Sequence, residues 1–312
     1  MAPVRVYPFR PAARTIDPMA TISRAVILAA GLGTRLLPAT KAVPKEMLPV
    51  VDRPLIQYAV DECLAAGISE IVFVVAEGKE AIRDYYTAGG RTETMLRAGG
   101  NESAADALAG LAQAARFEWV LQDQPLGIAH AVNCARALVE GEPFALLFPD
   151  DLLIANVPVI GQLARAYDQQ PGSVVAVQPV AREEIPQYGI VDPAEPGGNP
   201  ARLKGIVEKP AAADAPSNLG VVGRYILAPT IFHHIDRIEP GKNGELQITD
   251  AFASQIRAGE TVSSFRYEGK RYDTGRPLGL ILASVGAALA REDLAGQLRQ
   301  RLTAMLSEGE QP

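Results

Sequence analysis

The 312-residue sequence predicts an α/β fold: a mixed, mostly parallel sheet flanked by helices, with a β-rich second half. Three observations carry this. Apolar runs of strand length alternate with helical patterns over the first 170 residues, and from Ser173 onward the pattern changes to strands bounded by turns. The first apolar run also leads directly into a Gly-rich turn. Hydrophobic residues make up 48% and charged residues 21% of the chain, which suits a sizeable core, and no apolar stretch is long enough to span a bilayer.

Residues 1–23 contain Arg5, Arg10 and Arg14 among prolines and lack the apolar run of a secretion signal, so they are expected as a disordered or loosely attached arm, with Met19 a candidate alternative start. "RAVILAA" (24–30) is the first buried strand. After the Gly-rich loop, Pro54 opens a helix in which Leu55, Tyr58, Ala59 and Cys63 recur at helical spacing, and Gly67 stops it. "EIVFVVA" (70–76) is a strand, "KEAIRDYY" a short helix, and 89–116 a helical excursion. "FEWVLQ" (117–122) is a third strand, "GIAHAVNCARALVEG" one helix, and "FALLFPDD" (144–151) a fourth strand ending in paired carboxylates. Ligands in open α/β sheets bind at the carboxyl ends of strands, so these loops should converge on one crevice.

In the second half, "SVVAVQPV", "YGIVDP", "RLKGIVEKP" and "NLGVVGRYILAP" are expected as a mixed sheet beside the first. "GELQITDAFASQIRAG" is a helix and "TVSSFRYEG" a strand. Two amphipathic helices close the chain, the last with Leu294, Leu298 and Leu302 on a stripe that suits either core packing or an oligomer interface. The expected organisation is an arm (1–23), one domain (24–282, divided near 170 into two functional parts, 24–170 and 171–275), and C-terminal helices (283–312).

A net charge of -6 argues against a nucleic-acid-binding face, so any phosphate is handled locally. Cys63 and Cys134 do not make a disulfide framework, which fits a reducing cytoplasm. The loop "AAGLGTRLLPATKAVPKEMLP" (29–49) is neither of two familiar phosphate loops. No Gly-Lys-Ser/Thr occurs in the chain, and the third glycine of a dinucleotide fingerprint is replaced by Leu36. What remains is a turn in which Gly31 and Gly33 permit close backbone approach while Arg35, Lys41 and Lys45 supply positive charge. With seven Lys among 30 basic residues, the location of Lys41, Lys45 and Lys209 in Pro-flanked turns suggests compact point charges.

This loop with "RPLIQYAVDE" resembles the sugar-phosphate nucleotidyltransferase family, and within it the UTP–glucose-1-phosphate uridylyltransferases. The resemblance continues in family order through "PLGIAHAV", "FPDD", "YGIV", "VEKP", "VVGRYIL", "GELQITDA" and "RYDTG", although Ala129 stands where many relatives carry Gly. It implies a Rossmann-like, GT-A-like fold with 24–170 mainly nucleotide-binding and 171–275 mainly sugar-phosphate-binding. The implied reaction is Mg²⁺-dependent: a phosphate oxygen of glucose 1-phosphate attacks the α-phosphorus of UTP in line. That oxygen is already ionised, so positioning and charge stabilisation suffice, and a chain with three His fits.

By the same resemblance, Arg35 and Lys45 contact the triphosphate and the backbone of Gly31, Gly33 and Thr34 lies against the nucleotide. Ala29, Ala30, Gln122 and Gly127 meet the base, where an amide can donate and accept opposite uracil. Glu208 accepts from glucose hydroxyls, Lys209 meets the sugar phosphate and Gly189 approaches the ring. Neighbours in a strand face opposite ways, so Glu208 and Lys209 share a pocket only if the strand ends there, as Pro210 allows. Asp150 and Asp273 hold Mg²⁺, with Asp151 behind them; by residue type alone, a helix cap at Asp150 and a turn at Asp273 fit equally. The expected partners are UTP and glucose 1-phosphate, with no nucleic acid or membrane, in a homodimer or homotetramer. A thymidylyltransferase or a silent regulatory relative are the alternatives.

Overall fold

The structure, a computed structural model, describes residues 22–195, 197–241 and 244–308. Met19 and all but the end of the expected arm lie outside them. In chain order the first strands are β1 (Arg24–Ala29), β2 (Pro49–Val50), β3 (Arg53–Pro54), β4 (Glu70–Val75), β5 (Arg116–Leu121) and β6 (Phe144–Leu147). They are followed by β7 (Asp151–Ile154), β8 (Ser173–Pro179), β9 (Gly189–Pro193), β10 (Ala201–Glu208), β11 (Leu219–Leu227), β12 (Val262–Arg266) and β13 (Lys270–Asp273). The helices are α1 (Leu55–Ala65), α2 (Glu80–Tyr85), α3 (Arg91–Ala98), α4 (Glu102–Gln113), α5 (Ile128–Cys134) and α6 (Arg136–Val139). The remainder are α7 (Val159–Gln169), α8 (Ile231–Ile235), α9 (Ile248–Arg257), α10 (Pro277–Leu289) and α11 (Glu292–Glu308).

Nine strands form one sheet in the order β5-β4-β1-β6-β11-β8-β12-β10-β9. β5, β4, β1 and β6 are parallel neighbours, as the alternating pattern of the first half demands. The second half is not a sheet laid beside the first, as expected. β11 runs antiparallel against β6, with Leu227 opposite Phe144 and Arg224 opposite Leu147, and fuses the two halves. The reason is in its burial: every residue of β11 after Leu219 is buried, so the strand needs a neighbour on each edge and cover on each face. β9 also meets β11 through Gly220 opposite Ile190, so the far edge of the sheet curls back towards its middle.

The core lies on both faces of this sheet, and strand alternation assigns the residues. Ala25, Ile27 and Ala29 of β1 pack on one side with Phe73, Ile56 and Leu163, while Val26 joins Val72, Phe144 and Phe232 on the other. Inside the first layer, Arg224 of β11 donates to Glu62 of α1 at 2.8 Å and to the carbonyl of Phe148 at 2.9 Å. Glu62 also accepts the amide of Ile160 at the start of α7. One buried ion pair thus ties the sheet to two helices.

Several element boundaries differ from expectation. The helix expected over 127–141 is split at Ala135 into α5 and α6; beside the break the Arg136 guanidinium donates to Phe232 O and pairs with Asp236. α9 starts only at Ile248, because Leu246 is held extended by bonds to Leu126 O and from the Ala129 amide. The division at 282/283 falls inside α10, which starts at Pro277, and Leu294, Leu298 and Leu302 of α11 are half-buried. Cys63 and Cys134 are free thiols.

Removing the cation of the buried pair leaves Glu62 uncompensated, so Arg224→Met should destabilise the fold by roughly 3–5 kcal/mol. The shift of the denaturant midpoint at constant slope measures it.

Candidate active site

The Gly-rich loop leaves β1 at Ala29 and turns back over a lysine. Gly33 has φ +66, and a Cβ there would lie 3.0 Å from the Cβ of Lys45. A Cβ on Gly31 would lie 3.5 Å from Lys45 Cε. Gly33 is therefore what lets the loop lie along the Lys45 stem, whereas at Gly31 a side chain would make only ordinary contact. From behind, Lys79 donates to Gly31 O at 2.8 Å and to Glu46 Oε2 at 2.6 Å. Lys79 and Glu46 are both buried, and burial pushes the Glu46 carboxyl up against the pull of the two lysines.

Asp150 does not sit at the end of a strand. β6 stops at Leu147, and Pro149, which has no amide proton, lies in a turn closed by Asp151 N–H on Phe148 O. The chain then restarts as β7, paired with β13 so that Asp151 faces Asp273 across the ladder. Asp150 accepts from Lys45 Nζ at 2.6 Å, and its own carbonyl takes both the amide and the hydroxyl of Thr274 at 2.8 Å. Burial alone would raise the Asp150 carboxyl, but the adjoining ammonium outweighs it and holds the group below the ordinary carboxylate range. Lys45 is likewise held above its ordinary value against burial by Asp150 and Glu46.

Asp151 is a support. Its carboxylate accepts Arg271 Nε at 2.6 Å and the Gly223 amide at 2.7 Å. A Cβ on Gly223 would lie 2.7 Å from Phe148 Cβ and 2.8 Å from Asp151 Oδ2, so the contact needs glycine.

Two clefts meet at this turn, and Ile128, Phe148 and Asp150 line both. Ala30, Gly31, Lys45, Gln122 and Gly127 line the first. Arg35, Gly189, Glu208, Lys209 and Asp273 line the second. Arg35, expected with Lys45 on the triphosphate, lines the second cleft, where its guanidinium approaches Gly275 next to Asp273, and its charge still reaches Lys45 and Asp150. Ala29 is fully buried and lines neither cleft; Gly33, Thr34 and Lys41 line neither as well. Gln122 lies just beyond β5, buried, with its backbone N–H donating to Val75 O.

Glu208 and Lys209 do share a cleft, because β10 ends at Glu208 and Lys209 adopts φ +42. That conformation is costly for a residue with a Cβ and brings Lys209 Nζ to 3.2 Å from Glu208 Oε1. The other Glu208 oxygen accepts from Thr249 at 3.0 Å, and a Cβ on Gly189 would meet Thr249 Cγ2 at 3.0 Å. Thr249, Arg271, Lys79 and Glu46 escape sequence reasoning as site residues. Each lies within or beside a stretch that reads as an ordinary helix, strand or turn, and its partner is distant in the chain.

Among the described residues no group of three or more His, Cys, Asp or Glu gathers to hold a metal. Asp150 and Asp273, which line one cleft, form a two-carboxylate oxygen set. That set suits a hard cation that keeps waters and takes phosphate oxygens for its other ligands.

The nucleotidyl transferase family matches residues 24–288. The chain belongs to that family. It is 39% identical to the UTP–glucose-1-phosphate uridylyltransferase of Bacillus subtilis (strain 168) over 292 residues, 94% of this chain and 100% of the relative. A crystal structure of a UDP-glucose pyrophosphorylase complexed with UDP-glucose superposes with TM-score 0.78 at 39% identity, covering 87% of this transferase and all of the other chain. The UTP-bound UGPase from Acinetobacter baumannii gives TM-score 0.80 at 36% identity, with 91% and 99% covered. The mixed α/β fold expected from the sequence is the fold of these transferases. No helix among the described residues is long and apolar enough to cross a membrane.

Because Asp150 is depressed in the folded state, its contribution to stability is present above the unfolded value near ~3.9 and is lost as pH falls through the folded value. The stability advantage of the native transferase over Asp150→Asn should accordingly be full at neutral pH and shrink in acid, as urea midpoints at a series of pH values would report.

Proposed function

We propose that this nucleotidyl transferase moves a uridylyl group from UTP to glucose 1-phosphate, giving UDP-glucose and pyrophosphate. The observation that carries the proposal is the shared wall at Asp150: one cleft has the Gly-rich loop and Lys45, the other has Glu208 and Lys209, and the carboxylate lines both. The activity named for the relatives at 39% identity supports the same substrates.

In the proposed mechanism the first cleft takes UTP, with the uracil near Gln122 and Gly127 and the phosphates near Gly31 and Lys45. The second cleft takes glucose 1-phosphate. Glu208, oriented by Thr249, accepts from sugar hydroxyls, and Lys209 releases Glu208 to meet the sugar phosphate. The attacking phosphate oxygen is already ionised, so no side chain removes a proton. An O–Pα bond forms as the bond from Pα to the bridging oxygen of pyrophosphate breaks, and both electrons of the broken bond leave with pyrophosphate. Arg35, Lys45 and Lys209 offset the charge of two anions brought together. Asp150 and Asp273 would hold Mg²⁺, which when bound neutralises phosphate charge.

Pyrophosphate release with Mg²⁺ and glucose 1-phosphate, offering UTP, dTTP, CTP, GTP and ATP separately, tests this reading. Selective release with UTP is expected, while faster release with dTTP would make the protein a thymidylyltransferase and silence with all five would make it a non-catalytic relative. Lys209→Ala should lower turnover on the order of 10² to 10³-fold with the fold intact, the usual cost of losing one transition-state donor. In Asp150→Asn, metal-dependent turnover should be lost.

A further inference from the structure

Gln122 faces the first cleft, yet its amide nitrogen is already engaged inside the protein. It donates to Gly127 O at 3.4 Å and to His130 Nδ1 at 3.0 Å. The first partner is a backbone carbonyl that can only accept, so the amide atom beside it has to be the nitrogen. Gly127 cannot turn that carbonyl away. Its φ is +106, a Cβ would lie 2.6 Å from Leu246 O, and the same carbonyl takes the Ala131 amide at 3.1 Å. With the nitrogen so fixed, His130 Nδ1 is the acceptor and the ring hydrogen lies on Nε2, which faces Cys134 Sγ at 4.0 Å.

We infer that His130 is a specificity-determining residue: by taking the second amide hydrogen of Gln122 it leaves only the carbonyl oxygen for the base, so the cleft accepts uracil and refuses cytosine. The inference rests on the uridylyl-transfer reading above and adds to it the origin of base choice. Uracil carries a hydrogen on N3 and can donate to that oxygen. Cytosine carries a lone pair on N3, so two acceptors meet and neither is satisfied. Without the His130 acceptor only the long 3.4 Å bond to Gly127 O opposes a turn of the amide, so the turned form, which presents an N–H to the cleft and satisfies cytosine N3, comes within reach when cytosine rewards it. Gln122 is the group that touches the base; His130 is a positioning residue that acts through it.

The test compares His130→Met with His130→Gln, two side chains of similar length of which only the second has an acceptor oxygen. kcat/KM is measured with UTP and with CTP, using glucose 1-phosphate as co-substrate, after a circular dichroism melt has checked folding. The native protein should favour UTP strongly; His130→Met should narrow the UTP-to-CTP ratio at least about tenfold, and His130→Gln should retain most of it. Should His130→Met not fold, His130→Phe takes its place as the variant without an acceptor. A folded acceptor-less variant with the native ratio overturns the inference, as does an equal loss in both variants. If the native protein releases pyrophosphate with no nucleotide at all, it is the uridylyl-transfer reading that has failed, and the two failures are distinct.

Discussion

The carboxylate of Asp151 bonds to a backbone amide and a guanidinium, and the geometry of the site depends on that arrangement. Gly223 N–H comes from the central strand and Arg271 from β13, the strand paired with β7 that ends in Asp273. The turn over 148–151 is therefore fixed to the middle of the sheet and to the second carboxylate together. Arg224 adds a bond to Phe148 O, and Thr274 clasps the carbonyl of Asp150. Burying a carboxylate unpaired is expensive, so Asp151 has a strong preference for the one arrangement in which both partners are in reach. Its neighbour Asp150 is left to face both clefts.

Charge in the site is balanced locally before any substrate arrives. Lys45 is matched by Asp150, Lys79 by Glu46 and Lys209 by Glu208. These pairs differ in kind. Lys79 and Glu46 are buried and serve the loop backbone, whereas Lys209 is exposed at a strained strand end and is free to change partners. A protein of net charge -6 thus gathers cations locally in the two clefts.

Much of this was legible in the sequence. Alternating apolar runs located the parallel strands, and the motif residues at 29–49, 208–209 and 273 fell at strand ends and turns around the two clefts. What the sequence concealed were long-range partners. Nothing local announces that the strand holding Arg224 inserts beside β6, or that Glu62, on an unremarkable helix, waits for it. Helix 127–141 reads as continuous because the Arg136 contacts that accompany its break come from residues about a hundred positions away. Arg35 illustrates the same limit: it lies ten residues from Lys45 in one loop, yet after a chain of short 3-10 turns the two line different clefts.

The single sheet also limits how the molecule can move. Because β6 and β11 are hydrogen-bonded neighbours, the strands that end at Gln122 and at Glu208 belong to one lattice, to which the separate β7–β13 pair is tied through Asp151 and Gly223. The interval separating them is set by strand register, which shifts only in steps of a residue. Any change in the width of the clefts is left to side chains and to loops such as 30–48, so a lineage altering what the clefts admit would remodel those loops, since the platform beneath them does not widen by degrees.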